Sequence, residues 1–173
     1  IHWDKNGNMW ITEKNKIRLF YNNQFYNRAG SLGDGDMTQS YQNGTGIGMA
    51  GSGTGAAFYA PTGITSDANG DLYIVDSENH CIRKMTKFVK TGDGQVVTTF
   101  AGADRAAGNV GVPGYDDKTG MAARFDVPKS IVTVNGNMYV TEFNNFTIRK
   151  ITSGGVVSTL AGKGMTQGTK DGT

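Results

Sequence analysis

Three stretches of the chain share one alternation of apolar and polar positions. They are Gly7-Asn8-Met9-Trp10-Ile11-Thr12-Glu13, Gly70-Asp71-Leu72-Tyr73-Ile74-Val75-Asp76 and Gly136-Asn137-Met138-Tyr139-Val140-Thr141-Glu142. Each starts on a turn pair, continues as a short apolar run and closes on an acid. Behind them come Ile17-Arg18, Ile82-Arg83-Lys84 and Ile148-Arg149-Lys150. A further element runs Val96-Val97-Thr98-Thr99-Phe100-Ala101-Gly102 and Val156-Val157-Ser158-Thr159-Leu160-Ala161-Gly162, with a degenerate first copy from Gln24 to Gly30. A fourth, Phe58-Tyr59-Ala60-Pro61, returns as Phe125-Asp126-Val127-Pro128. The copies are 63 and then 66 residues apart, counted from Gly7 to Gly70 to Gly136.

Each unit therefore holds four short strands, rich in β-branched and aromatic residues and bounded by turn chemistry. Asn6-Gly7, Asn69-Gly70 and Asn135-Gly136 fit type I′ hairpin turns, which need positive φ at both central positions. No helical periodicity is sustained. Four antiparallel strands at a fixed period describe β-propeller blades. The expected fold is all-β: three four-stranded antiparallel blades, about 1–57, 58–124 and 125–173, with the last inter-blade loop cut short. Ile1-His2-Trp3-Asp4 aligns with Ile64-Thr65-Ser66-Asp67, so the chain opens in mid-strand and is expected to be part of a longer protein. Exposed apolar sheet faces at the ends of an open arc are costly. The expected partners of those faces are the remaining blades or a self-association partner.

The middle copy resembles the NHL repeat: a Pro-containing inner strand, Gly70-Asp71-Leu72-Tyr73-Ile74-Val75-Asp76, Asn79-His80-Cys81-Ile82-Arg83-Lys84, and an outer strand ending Thr99-Phe100-Ala101-Gly102. The resemblance implies a propeller, commonly of six blades, of which the three expected here are about half. The long inter-blade loops are similar to those of bacterial surface proteins in which such a propeller follows an immunoglobulin-like IPT/TIG domain. That implies a noncatalytic binding scaffold in an extracellular, cell-surface or periplasmic setting.

Composition agrees with loops and short strands: 26 glycines, 3 prolines, 37% hydrophobic and 18% charged residues. The net charge of +2 comes from 17 dispersed Lys and Arg against 15 acids. A nucleic-acid binder carries a clustered basic footprint, so this balance argues against such a partner. No stretch approaches the roughly 20 apolar residues of a membrane helix. The single Cys81 excludes an internal disulfide and a Cys-rich zinc site, and reads as a small buried residue.

Glu13, Asp76 and Glu142 with Arg18, Arg83 and Arg149 recur in every copy. They read as ion pairs that hold each hairpin in register, because one ligand seldom needs the same residues in all blades. Binding residues should lie where copies differ. Phe143-Asn144-Asn145-Phe146 replaces Ser77-Glu78-Asn79-His80, and a Phe beside an Asn can stack on a sugar or peptide and hydrogen-bond its edge. Asn79, His80, Tyr115 and Tyr59 join that set, with His80 expected in a solvated turn. The long segments 31–57 and 103–124 vary between copies as functional loops do. Asp34 and Asp36 have the spacing of Ca²⁺ ligands, but the remaining ligands of an EF-hand are missing. The glycine run from Gly44 to Gly48 lacks the Lys-Ser/Thr terminus of a phosphate loop. No catalytic residue, metal or cofactor is assigned.

The expected function is protein, peptide or glycan recognition. One alternative is a metal-dependent lyase or hydrolase centred on the propeller channel, a reading weakened by just two histidines, His2 and His80, at non-equivalent positions. The other is RNA binding, which the resemblance allows and the dispersed charge opposes.

Overall fold

The computed structural model describes residues 1–30, 44–45, 55–87, 95–102 and 111–168. Three antiparallel sheets follow one another along the chain. Blade 1 holds β1 (His2–Trp3), β2 (Met9–Glu13), β3 (Lys16–Tyr21) and β4 (Gln24–Gly30). Blade 2 holds β6 (Pro61–Ser66), β7 (Leu72–Asp76), β8 (Cys81–Met85) and β9 (Val96–Gly102), with a two-residue strand β5 (Gly44–Thr45) added outside β9. Blade 3 holds β10 (Pro128–Val134), β11 (Asn137–Glu142), β12 (Thr147–Ile151) and β13 (Val157–Ala161). The fold is a partial β-propeller, all-β as the strand pattern requires.

The second sheet gains its fifth strand from the segment that leads into it. Gly44 and Thr45 pair with Val97 and Val96. Blade 3 repeats the arrangement more loosely: Thr119 bridges Val156, and the Val157 N–H donates to the Lys118 carbonyl at 2.9 Å. An outer strand otherwise leaves a row of unpaired backbone groups in water. These segments attach to the outer edge of the blade that follows them.

Two cores lie between the blades. Trp10, Ile17 and Leu19 of blade 1 meet Phe58, Ile64, Leu72, Ile74, Met85 and Val97. Tyr73, Val75 and Ile82 meet Phe125, Ile131, Met138, Val140, Ile151 and Val157. Alternation along each strand sends odd and even positions to opposite seams, so a central blade is apolar on both faces. Burying each large side chain contributes about 1.5–3 kcal/mol. Phe58 and Phe125 precede the proline of each inner strand and are both fully buried, one in each seam.

The turns divide into two kinds. Asn135-Gly136 is the expected two-residue hairpin: φ is 49° and 75°, and Val134 pairs with Asn137. At Asn6-Gly7 and Asn69-Gly70 only the glycine has positive φ, so these are not type I′ turns. There an aspartate begins a longer turn. Asp4 Oδ1 accepts the N–H groups of Asn6 and Asn8, and Asp67 Oδ1 those of Asn69, Gly70 and Asp71. A short acceptor at the start of a turn captures the free amides locally and favours this wider geometry. Type I′ geometry also closes the outer hairpin of blade 1, at Asn22-Asn23 (φ 48° and 62°).

Candidate functional site at the hairpin end of the blades

The hairpins joining the second and third strands of each blade, and the segments entering each inner strand, lie at one end of the molecule. This is where the repeated acids and arginines meet. Arg83 Nη1 donates to Asp76 Oδ2 at 2.9 Å, and Arg149 Nη1 to Glu142 Oε2 at 2.9 Å, all four side chains fully buried. Arg83 also donates to the Ala57 carbonyl and Arg149 to the equivalent Arg124 carbonyl. Each guanidinium lies over the Phe that precedes the proline, Arg83 over Phe58 at 5.2 Å and Arg149 over Phe125 at 5.3 Å. The acid takes the backbone N–H of the next residue along, Tyr59 for Asp76 and Asp126 for Glu142. The pair thus fastens the entry segment to the second and third strands of its own blade. Burial pushes the Asp76 carboxyl up, while Arg83, the Asn79 amide and the Tyr59 N–H pull it back. Blade 1 carries an open version: Arg18 and Glu13 are 2.9 Å apart and partly exposed, and the Arg18 hydrogen bond lowers the Glu13 pKa.

Several expected ligand residues belong to this frame instead. Asn79 and Asn145 are buried, and their amide nitrogens donate to Asp76 and Glu142. Each fills a lone pair that burial would otherwise leave empty. Tyr115 lies 5.0 Å from the Arg149 guanidinium, and its hydroxyl accepts from Thr159. Gly164 abuts the same ring, where an added Cβ would come 2.5 Å from it. Tyr115 thus packs against Arg149 and Gly164 while staying exposed, at 36%. Asp117 belongs to the same cluster: its Oδ1 accepts from Arg149 and its Oδ2 accepts the Thr159 N–H. Burial raises the Asp117 pKa, but those bonds outweigh it and the net shift is downward.

His80 is not in a solvated turn. It has left-handed φ (54°), and its Nδ1 accepts the Val127 N–H at 3.1 Å across the seam between blades 2 and 3. Asn15 does the same one seam earlier, its Oδ1 accepting the Ala60 N–H at 3.1 Å. Ala60 and Val127 both have positive φ and precede the prolines of the inner strands. A side-chain acceptor thus latches each blade to the next. Asp126 Oδ1 lies 3.6 Å from His80 Nδ1. His2 also spans a seam, with Nε2 2.8 Å from Ser66 Oγ, and burial lowers its pKa. Cys81 is buried.

Phe143 and Phe146 remain exposed, at 65% and 47%. Asn144 is exposed as well, and its Nδ2 donates to Asp126 Oδ1 at 3.0 Å. The Phe143 N–H donates to the Val127 carbonyl. Ser77, the blade 2 counterpart of Phe143, is buried, and Lys129 Nζ of blade 3 donates to its hydroxyl. Phe143 therefore stands at the corner where the hairpin end meets the open face of blade 3. Asp34 and Asp36 lie outside the described residues, and Tyr59 is half-buried.

The model of the NHL repeat matches residues 58–85. The chain carries an NHL repeat. The match covers the entry segment and first three strands of blade 2, with Asp76, Asn79, His80 and Arg83 inside it. Among solved structures, an auxiliary nutrient binding protein from Bacteroides thetaiotaomicron is 24% identical with a TM-score of 0.62, over 91% of this chain and 36% of that one. One from Bacteroides ovatus is 19% identical with a TM-score of 0.55, over 93% of this chain and 46% of that one. At such identities the likeness speaks for the fold alone. The chloroplastic Arabidopsis thaliana protein SUPPRESSOR OF QUENCHING 1 is 32% identical over 92 residues, 53% of this chain and 8% of that protein. The chain thus spans less than half the length of each of these relatives. Among the described residues no helix is long and apolar enough to cross a membrane.

Proposed function

We propose that this NHL propeller segment is a noncatalytic recognition scaffold for a glycan, peptide or protein, part of a longer bacterial surface or periplasmic protein. The observation that carries the reading is the hairpin of blade 3. Its buried members, Glu142, Asn145 and Arg149, repeat the frame of blade 2, whereas its exposed members depart from it. Asp126 anchors the amide of Asn144, the chain neighbour of the exposed Phe143. A ring face beside an anchored carboxamide suits a ligand with one apolar face and a polar edge. The solved structures described as nutrient binding proteins support a binding role, and an IPT/TIG-type neighbour belongs to the same proposal.

Titration calorimetry with soluble xylan, mannan and starch, and with tryptic casein peptides, tests the reading. We expect one class to bind and the Phe143→Ala/Asn144→Ala double variant to weaken it at least tenfold while melting like the parent. Absence of binding to every probe, or binding indifferent to both substitutions, overturns the reading.

A further inference from the structure

The blade 3 hairpin meets its entry segment at Asp126 and Asn144, and the hydrogen bonds around them fix what a ligand there must offer. Asn144 Nδ2 donates to Asp126 Oδ1 at 3.0 Å. A carboxylate only accepts, so the amide nitrogen faces it and the amide oxygen faces away. Neither Asn144 Oδ1 nor Asp126 Oδ2 has a hydrogen-bond partner among the described residues. Asn144 is exposed and Asp126 partly so. Donors on the adjoining segments are already spent. The Asp126 N–H goes to Glu142 Oε1, the Val127 N–H to His80 Nδ1 and the Phe143 N–H to the Val127 carbonyl. Lys129, three residues along from Asp126, is drawn across the seam to Ser77 Oγ at 3.1 Å and Glu78 Oε1 at 3.7 Å. Blades 2 and 3 supply every one of these groups.

We infer that the ligand of this corner is an uncharged glycan, held through hydroxyl groups that donate to Asp126 and Asn144. The inference rests on the recognition reading above and narrows it. What the two side chains leave open accepts only, so it repels a carboxylate or sulfate and gives nothing to a carbonyl. A peptide backbone carries N–H and C=O groups in nearly equal number, and so brings carbonyls against oxygens that cannot donate. A sugar hydroxyl donates or accepts by rotation, and two on adjacent carbons can both turn their hydrogens to the protein. Hydrogen bonds to a carboxylate are the stronger kind, so the Asp126 contact should dominate. The apolar face of a sugar ring suits Phe143, exposed on the residue before Asn144.

Titration calorimetry tests this with starch, mannan and uncharged xylan, each also as its O-methyl ether, and with polygalacturonate and tryptic casein peptides. Methylation removes the hydroxyl donors and keeps the sugar ring and its oxygens. We expect at least one of the three free glycans to bind, its ether to bind at least tenfold more weakly, and polygalacturonate not to bind. Asp126→Asn should weaken the free glycan about tenfold, since the charge behind the bond is gone. Should that variant fail to fold, the ether comparison on the parent chain decides alone. Binding of casein peptides without any free glycan overturns the inference and leaves the recognition reading standing. An ether, or polygalacturonate, that binds as tightly as the free glycan overturns it as well. No binding to any probe removes the recognition reading itself, and the inference with it.

Discussion

Arg18 and Arg149 occupy one repeat position, pair with an acid at the same 2.9 Å, and should differ sharply in what they contribute. Replacing Arg149 by Met removes the bond to Glu142, the bonds to the Arg124 and Asp116 carbonyls and to Asp117, and the ring contacts with Tyr115 and Phe125. Glu142 stays buried. It keeps its bonds to Asn145, Thr147 and the Asp126 N–H, but its charge loses its counter-ion. Removing one partner of a buried pair costs about 3–5 kcal/mol, because the other charge is left uncompensated. Arg18→Met breaks a pair open to solvent and screened by it, which contributes little. For a chain of this size each kcal/mol moves the melting midpoint by roughly 2–4 °C. Thermal melts should therefore show a drop of about 6–20 °C for Arg149→Met and a few degrees at most for Arg18→Met. Glu142→Gln combined with Arg149→Met should recover part of the loss, since the stranded charge is gone. Equal shifts for the two single variants, or a double variant no better than Arg149→Met, would refute the account of the buried pair.

Gly162 has φ 86° and approaches the Phe146 carbonyl so closely that an added Cβ would overlap it. Gly162→Ala should lower stability by more than the roughly 1 kcal/mol typical of glycine replacement, read as a fall in the urea midpoint. His80→Asn keeps an acceptor of the kind Asn15 supplies to the Ala60 N–H, whereas His80→Ala leaves the Val127 N–H unpaired at the seam. The alanine variant should be about 1–3 kcal/mol less stable than the asparagine variant in urea titrations. The Asp4 pKa is lowered: burial raises it, but bonds from the Trp10 indole and from Asn8 and Asn6 outweigh that. Asp71 is lowered too, its bonds to Lys84 and the Lys87 N–H outweighing burial. A folded pKa below the unfolded 3.8 gives stability that is present above that pH and lost as pH falls through the folded value. Melting points should therefore drop below about pH 4, less steeply in Asp4→Asn.

The strand periods, the acid–Arg spacing and the Phe-x-x-Pro element of blades 2 and 3 are local and repeated, so the chain alone disclosed blades, strand order and a charged frame. Asn135-Gly136 was legible as a tight hairpin for the same reason. Asn69-Gly70 was misread because Asp67, two residues before the pair, captures the turn amides and widens it. Buried against exposed is not a local property. Asn79 and Asn145 read as hairpin polar residues, yet the carboxylate beneath each draws it inward. Tyr115 stays exposed as an aromatic of a variable loop, but only the fold shows that its ring also lies against the buried Arg149. The His80 and Asn15 latches join residues 47 and 45 apart in sequence, and no spacing rule within one blade reports them. The sequence by itself determined which residues recur; only the packing of one blade on the next decided which of them are spent on the frame, because burial changes what an unpaired polar group costs.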